Sequence, residues 1–254
     1  MSKVYGKRPG MSGVDTGARR VASTYGKESF LTHGKKSGGL MVVEQEAERL
    51  AAHMLSLDPE VVEVWTQPFM VDLVNGTVLR SADERREAWA QQRGKKGARF
   101  YTPDFLVRLS GGIERAVEVK LEGYLGDERY QQKLEHAERV LWANGYEFAR
   151  PVVPRSSKHP LRTNVPLLHQ ASLHDDLMPG PEVCEEVARL AHQGAITLAD
   201  YCAGLGMSAS MTPVLLAFGA LRMDLHAHPI RGSAPAEPAF GSLDHLQLLW
   251  SLSV

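Results

Sequence analysis

Residues 100–121 read FYTPDFLVRLSGGIERAVEVKL, with β-branched and aromatic residues in both halves and Ser110-Gly111-Gly112 between them. This pattern predicts a β hairpin. Alternate residues of a strand share a face. Glu118 and Lys120 therefore point one way, and Val117, Val119 and Leu121 the other. A turn at Gly111-Gly112 brings Asp104 back beside Glu118, because the two lie about seven and six residues from it. Two carboxylates and one ammonium then share one side of a small sheet. Phosphodiester hydrolysis needs such a set. Acidic oxygens hold a hard cation such as Mg²⁺, with Mn²⁺ as a substitute, and the cation neutralises charge on the phosphate. A nearby lysine can orient the attacking water or stabilise the transition state. The same spacing also arises by chance, as a solvated strand face with a Glu/Lys pair.

Upstream, residues 43–57 (VEQEAERLAAHMLSL) have helical periodicity. With Ala47 as zero and about 100° per residue, Val43, Leu50, Ala51 and Met54 fall within roughly 60° of it. Glu44 and Glu48 then border the apolar stripe, and Asp58-Pro59 ends the helix. Residues 61–74 read as extended and contain Gln67-Pro68-Phe69. Residues 77–99 carry seven basic and three acidic side chains and read as a long loop or an inserted short helix. Their Arg93, Lys95, Lys96 and Arg99 are candidate DNA contacts, and Trp89 lies among them. Downstream, residues 127–143 have helical spacing, Asn144-Gly145 closes that helix, and Tyr146-Glu147-Phe148 starts another strand. The order helix, strand, hairpin, helix, strand describes an α/β unit with a mixed sheet flanked by helices.

The chain has 254 residues, enough for one large core or two small ones. Its 43% hydrophobic and 23% charged residues exclude a collagen-like, coiled-coil or wholly disordered chain. The longest uncharged stretch, Tyr201–Leu221, is broken by glycines and a proline, so no membrane partner is expected. The basic N-terminus lacks the apolar run of a signal peptide, and a cytoplasmic location is the expectation. The two cysteines, Cys184 and Cys202, have no CxxC partner, which argues against a zinc ribbon. Residues 1–40 carry eight Lys/Arg against two acids and are rich in Gly and Ser. They read as a flexible arm that seeks polyanions, with Lys35 and Lys36 as candidate DNA contacts, or else as a solubilising tail.

Beyond residue 154 the composition changes. Residues 155–181 are proline-rich and read as a linker after a unit spanning 41–154. Residues 182–254 show three short helical patterns followed by RMDLHAHPI, a possible short strand on which His226 and His228 would alternate. That order suggests a small, mostly α, winged-helix-like domain. Its presumptive recognition helix, Ser208–Leu221, has no Lys or Arg, whereas groove readers carry basic or amide side chains. The region therefore reads as a protein-docking module.

Glu44 and Glu48-Arg49, Leu57-Asp58-Pro59-Glu60-Val61, Gln67-Pro68-Phe69, Tyr101-Thr102-Pro103-Asp104-Phe105-Leu106-Val107 and Glu118-Val119-Lys120 occur in that order. Together they resemble the TnsA family, the endonuclease subunits of heteromeric transposases, within the PD-(D/E)xK restriction-like nucleases. The likeness covers roughly residues 40–150 and implies a restriction-endonuclease-like fold. By position, Glu48 corresponds to the acid on the family's first catalytic helix and Asp104 to its central metal-binding aspartate. Glu118 takes the second metal position, which is Gln in some members, and Lys120 that of the catalytic lysine; Glu44 and Gln67 would support them. Family members cut the 5′ ends of the transposon in double-stranded DNA, on the strands not joined to target. A DDE transposase cuts the 3′ ends, and an AAA+ ATPase regulator activates both. The resemblance implies that residues 182–254 dock that regulator or another transposition subunit. The basic stretch 77–99 departs from the family pattern. Two other readings use the same residues differently: a stand-alone restriction-like nuclease or Holliday-junction resolvase, and a non-catalytic recruitment subunit.

Overall fold

The computed structural model describes residues 30–253. It opens with an antiparallel hairpin, β1 (Phe30–Gly34) and β2 (Gly39–Val43). A 3-10 turn at Lys35–Ser37 joins the strands, and Gly38 at φ 69° supplies a left-handed bend that glycine adopts without penalty. The described end of the basic arm is thus a paired strand rather than a free coil, because Met41, Val42 and Val43 are buried. Residues 1–29 of that arm lie outside the described residues.

Helix α1 (Glu46–Leu57) starts three residues later than its periodicity suggests, because Val43 belongs to β2. Ala51, Ala52, Met54 and Leu55 are wholly buried, so more than one face of the helix is covered. Next come β3 (Val61–Thr66), β4 (Met70–Asp72) and β5 (Thr77–Leu79). Helix α2 (Ala82–Gln91) follows, with Ser81 and Glu84 exchanging hydrogen bonds at its N-terminus. The stretch expected as a loop or short helix is therefore a strand, a capped helix and a loop. The fully buried Asp72 fastens this insertion. Its carboxylate accepts from Val74 N at 2.9 Å, Asn75 N at 3.0 Å and Gln92 Nε2 at 2.6 Å. Burial pushes the Asp72 carboxyl up, but these hydrogen bonds outweigh it and hold the group below the usual range.

The chain continues through β6 (Phe100–Tyr101), β7 (Phe105–Leu109), β8 (Glu114–Val117) and β9 (Lys120–Leu121). Helix α3 (Glu128–Ala143), β10 (Glu147–Ala149) and β11 (Val152–Val153) complete this part. The central sheet has the order β10-β8-β7-β3. Strands β3, β7 and β8 are antiparallel neighbours, while β10 runs parallel to β8, so the sheet is mixed as expected. Strand β9 pairs with β11 in the same parallel sense, which extends the β8/β10 pair past a break at Glu118-Val119. Alternation divides the core. Phe105, Val107 and Val117 face α1, while Leu106 and Ala116 face Leu134, Ala137 and Leu141 of α3.

The segment expected as a linker contains a helix, α4 (Pro160–Ser172). Pro160 sits in its first turn, where no amide donor is needed. Leu161, Val165 and Leu168 are wholly buried, and α4 packs on both α1 and α7. The remaining elements are α5 (Pro181–His192), α6 (Leu198–Gly204), α7 (Thr212–Ala217), β12 (Leu221–Arg222) and β13 (Glu237–Pro238). Strands β12 and β13 pair antiparallel after the three helices. One continuous apolar cluster runs from Met41 through Leu168 to Leu249. Buried residues from both sides of the 155–181 segment therefore share this cluster. The helix expected over Ser208–Leu221 is a 3-10 turn followed by the short α7, whose Val214, Leu215 and Leu216 are buried in that core. Nor do His226 and His228 alternate on a strand. Asp224 Oδ1 accepts the backbone N–H groups of His226 and Ala227, which turns the chain there. No described helix is long and apolar enough to cross a membrane.

Because α4 seals one shared core, Leu168→Ala should cost about 2–5 kcal/mol. Urea unfolding should stay a single transition in probes at both ends of the chain; two separated transitions would contradict the shared core. A second prediction concerns the His53 and His169 rings, which stack at 4.0 Å on the facing sides of α1 and α4. Burial, then His169 and Arg49, lowers the His53 pKa from 6.5 to about 3, and burial lowers that of His169. Between those values the unfolded chain holds a proton that the folded chain does not. The contribution to stability is therefore complete above about pH 6.5 and is lost as pH falls towards 3. His53→Gln should flatten the loss of stability between pH 7 and pH 5; an unchanged slope would contradict this.

Candidate active site

The β7/β8 register sets the site. Phe105 pairs with Val117 and Leu106 with Ala116, so one step outward Asp104 stands opposite Glu118. At that step the ladder breaks. Val119 N–H turns from strand pairing and donates to Asp104 Oδ2 at 2.8 Å. The parallel neighbour keeps the rest of the backbone in place, with Glu118 N–H donating to Ala149 O and Lys120 N–H to Pro151 O. Glu118 and Lys120 then share a face, and Lys120 Nζ donates to Glu118 Oε1 at 2.6 Å. Both side chains are largely enclosed, at 7% exposure for Glu118 and 14% for Lys120.

Two tyrosines to which the sequence reading gave no site role, Tyr101 and Tyr130, complete the cluster. Tyr101 OH donates to Glu118 Oε2 at 2.7 Å. Tyr130 OH donates to Glu118 Oε1 and accepts from Lys120 Nζ at 2.7 Å. Burial and the Glu118 charge push both phenols above their usual range, so they serve as hydrogen-bond donors. A sequence signal for Tyr130 existed. Tyr130 and Lys133 extend the apolar stripe of α3, Leu134 and Ala137, towards the helix N-terminus, and so point at the sheet.

Glu48 reaches the site from the first turn of α1. It is buried, and its Oε2 accepts Glu44 N–H at 2.8 Å, which holds the carboxylate at the positive end of the helix. Glu44 itself precedes the helix, so the helical angle assigned to it does not apply, yet it lines the same cleft. Asp104 lies among these acids. Burial, then Glu118, then Glu48, raises its carboxyl well above the ordinary aspartate range. Carboxylates drawn together in this way favour a compensating cation.

The cleft is about 500 Å³ and is lined by Glu48, Gln67, Asp104, Glu118, Tyr130 and Lys133, with Arg99 and Trp89 at one wall. Gln67 has φ 44°, uncommon for a non-glycine residue; its N–H donates to Asp104 O at 2.9 Å, and its Oε1 is buried without a partner. Of the candidate DNA contacts, only Arg99 lines the cleft. Its guanidinium lies 5.5 Å from the centre of the Trp89 ring, which stacks on Phe100. Arg93, Lys95 and Lys96 are exposed on the loop after α2. Lys35 pairs with Asp175 at 2.5 Å, and Lys36 donates to Asp58 O. These two lysines are committed to the protein's own acceptors, away from the cleft lining. Among the described residues, no three His, Cys, Asp or Glu side chains stand in a metal-ligating arrangement.

Residues 58–150 match the family model described as TnsA-like endonuclease N terminal. No curated protein matches the chain. Asp104, Glu118, Lys120, Tyr101, Tyr130 and the α2 insertion all fall inside the matched segment, whereas Glu48 precedes it. The segment that supplies Asp104, Glu118 and Lys120 to the cleft is thus similar to the N-terminal domain of TnsA-like endonucleases.

Proposed function

We propose that this chain hydrolyses DNA phosphodiester bonds at the 5′ ends of a transposon, on the strands not joined to target, as the nuclease of a heteromeric transposase. The observation that carries the reading is the pairing of Asp104 with Glu118 and Lys120 across one hairpin, inside a TnsA-like endonuclease domain. A DDE transposase as partner, and an AAA+ regulator docking on residues 182–254, are parts of the proposal supported by the family likeness.

In donor type the set suits a hard divalent cation, since Asp104, Glu118 and Glu48 offer only carboxylate oxygen, and burial with the like charges of Glu118 and Glu48 opposes ionisation of Asp104. The three do not stand in a ligating arrangement among the described residues, so binding would draw them together. Both Glu118 oxygens are engaged by Tyr101, Tyr130 and Lys120, so taking the ion requires Glu118 to exchange some of these hydrogen bonds. Mg²⁺ bound there, or Mn²⁺ in its place, would supply charge neutralisation at the phosphate. In the reaction, water oxygen forms a bond to phosphorus as one ester P–O bond breaks. Lys120, held by Glu118 and Tyr130, would orient that water and offset charge on the phosphate. Gln67 lines the cleft, and its backbone N–H steadies the site by donating to Asp104 O at 2.9 Å.

Asp104→Ala and Lys120→Ala should each lower end cleavage at least about a hundredfold in the assembly reconstituted with its partner subunits, and chelation of divalent cations should abolish it. Wild-type cleavage by both variants would remove the catalytic assignment.

A further inference from the structure

A second polar pocket, of about 230 Å³, lies on the other side of α1 from the acidic cleft; Arg49, Arg155, Arg162, Glu46, His53 and Ser157 line it. Three arginines line it with one carboxylate, and the Arg49 guanidinium also lies over the Phe30 ring. Glu46 Oε1 is 3.3 Å from Arg162 Nη1 and 3.9 Å from Arg49 Nη2, so it is shared between two cations. Arg155 forms no ion pair through its guanidinium among the described residues; its backbone N–H donates to Glu122 Oε2 at 3.2 Å, and the guanidinium lies over Tyr124. The Arg162 side chain is 12% exposed, and its Nε–H is buried without a hydrogen-bond partner. A buried donor that meets no acceptor is costly, and an incoming anion would remove that cost.

The surroundings favour negative charge as well. Helices α1 and α4 lie side by side in the same direction, with Glu46 meeting Arg162 and His53 meeting His169. Their N-termini, each the positive end of a helix dipole, therefore come together beside the pocket. Its location ties it to the cleft. Glu46 and Arg49 share the first turns of α1 with Glu48. Arg155 follows β11, whose Val152 pairs with Lys120.

We propose that Arg49, Arg155 and Arg162 form a phosphate subsite that grips the DNA backbone beside the acidic cleft. This inference rests on the nuclease reading and extends it. The acidic cleft repels the polyanion it must receive, and the arginine pocket supplies attraction next to it. Planar guanidinium groups suit phosphate oxygens, and backbone contacts of this kind set register without reading sequence.

The test is duplex binding by the full chain in chelator over a range of salt, with any sequence as probe. Arg49→Gln and Arg155→Gln should each weaken binding at low salt and make the slope of log affinity against log salt shallower by about 0.9 for each phosphate no longer neutralised. Arg155→Lys keeps the charge and should retain the slope. Arg189→Gln, at an arginine paired with Glu186 on α5, should bind as wild type does. Thermal unfolding of each variant checks that the fold is kept; Arg155 is exposed and suits this comparison. Wild-type slopes in both glutamine variants would overturn the subsite while leaving the nuclease reading intact, and would mean that the pocket serves a free anion if any. An equal loss in Arg189→Gln would also overturn it. A wild-type chain that binds no duplex at any salt would overturn the subsite together with the nuclease reading.

Discussion

The strand pairing that sets Asp104 opposite Glu118 is the constraint on which the remaining chemistry depends. The β7/β8 ladder fixes both backbones, and at its outer end Val119 N–H leaves the ladder for the Asp104 carboxylate. Two acids are thereby held on the wall of a cleft where water screens them poorly. Hydrogen bonds hold both in place, from Tyr101, Tyr130 and Lys120 to Glu118 and from Val119 to Asp104. Repulsion maintained by the fold in this way is a mark of functional sites. The third acid, Glu48, comes from a different element but is tied by its own hydrogen bond to the start of α1.

The hairpin, the mixed sheet and α3 could be read from the sequence because local chemistry and tertiary packing agree there. Period-two apolar residues flank Gly111-Gly112, and Asp127 caps α3 through Tyr130 N–H. Asp104, Glu118 and Lys120 followed from the same alternation. Tyr130 and Lys133 were missed because they continue an apolar stripe with polar side chains, which reads as a helix edge. Helix α4 was missed for a different reason. Pro160 and Pro166 suggest a broken chain, yet Pro160 occupies the helix start, and buried Leu161, Val165 and Leu168 outweigh the interruption at Pro166. The β1/β2 hairpin was hidden by charge, since Lys35 and Lys36 sit in its turn with acceptors far away in sequence, Asp175 and Asp58.

Helix α1 has one polar end between two sites of opposite sign. Glu48 serves the acidic cleft on one side, while Glu46 and Arg49 border the arginine pocket on the other. Its apolar length is sealed by α4, which in turn packs on α7. The residues proposed to dock a regulator and the helix that carries Glu48 therefore belong to one continuous core. Most of the apolar side chains of α7 are used in that core, so a docking surface in residues 182–254 has to be built from other side chains. Ile196 at 68% exposure and Phe240 at 75% are the large apolar residues most open to solvent there.

The central proposal is that the carboxylates around Asp104 hold a divalent cation. Titrating Mn²⁺ into the full chain and following the free-ion electron paramagnetic resonance signal tests it most directly. The account predicts that the wild-type chain withdraws the ion from solution and that Asp104→Ala, folded as judged by its unfolding transition, leaves it free. Equal withdrawal by the two proteins, or none by either, would contradict it.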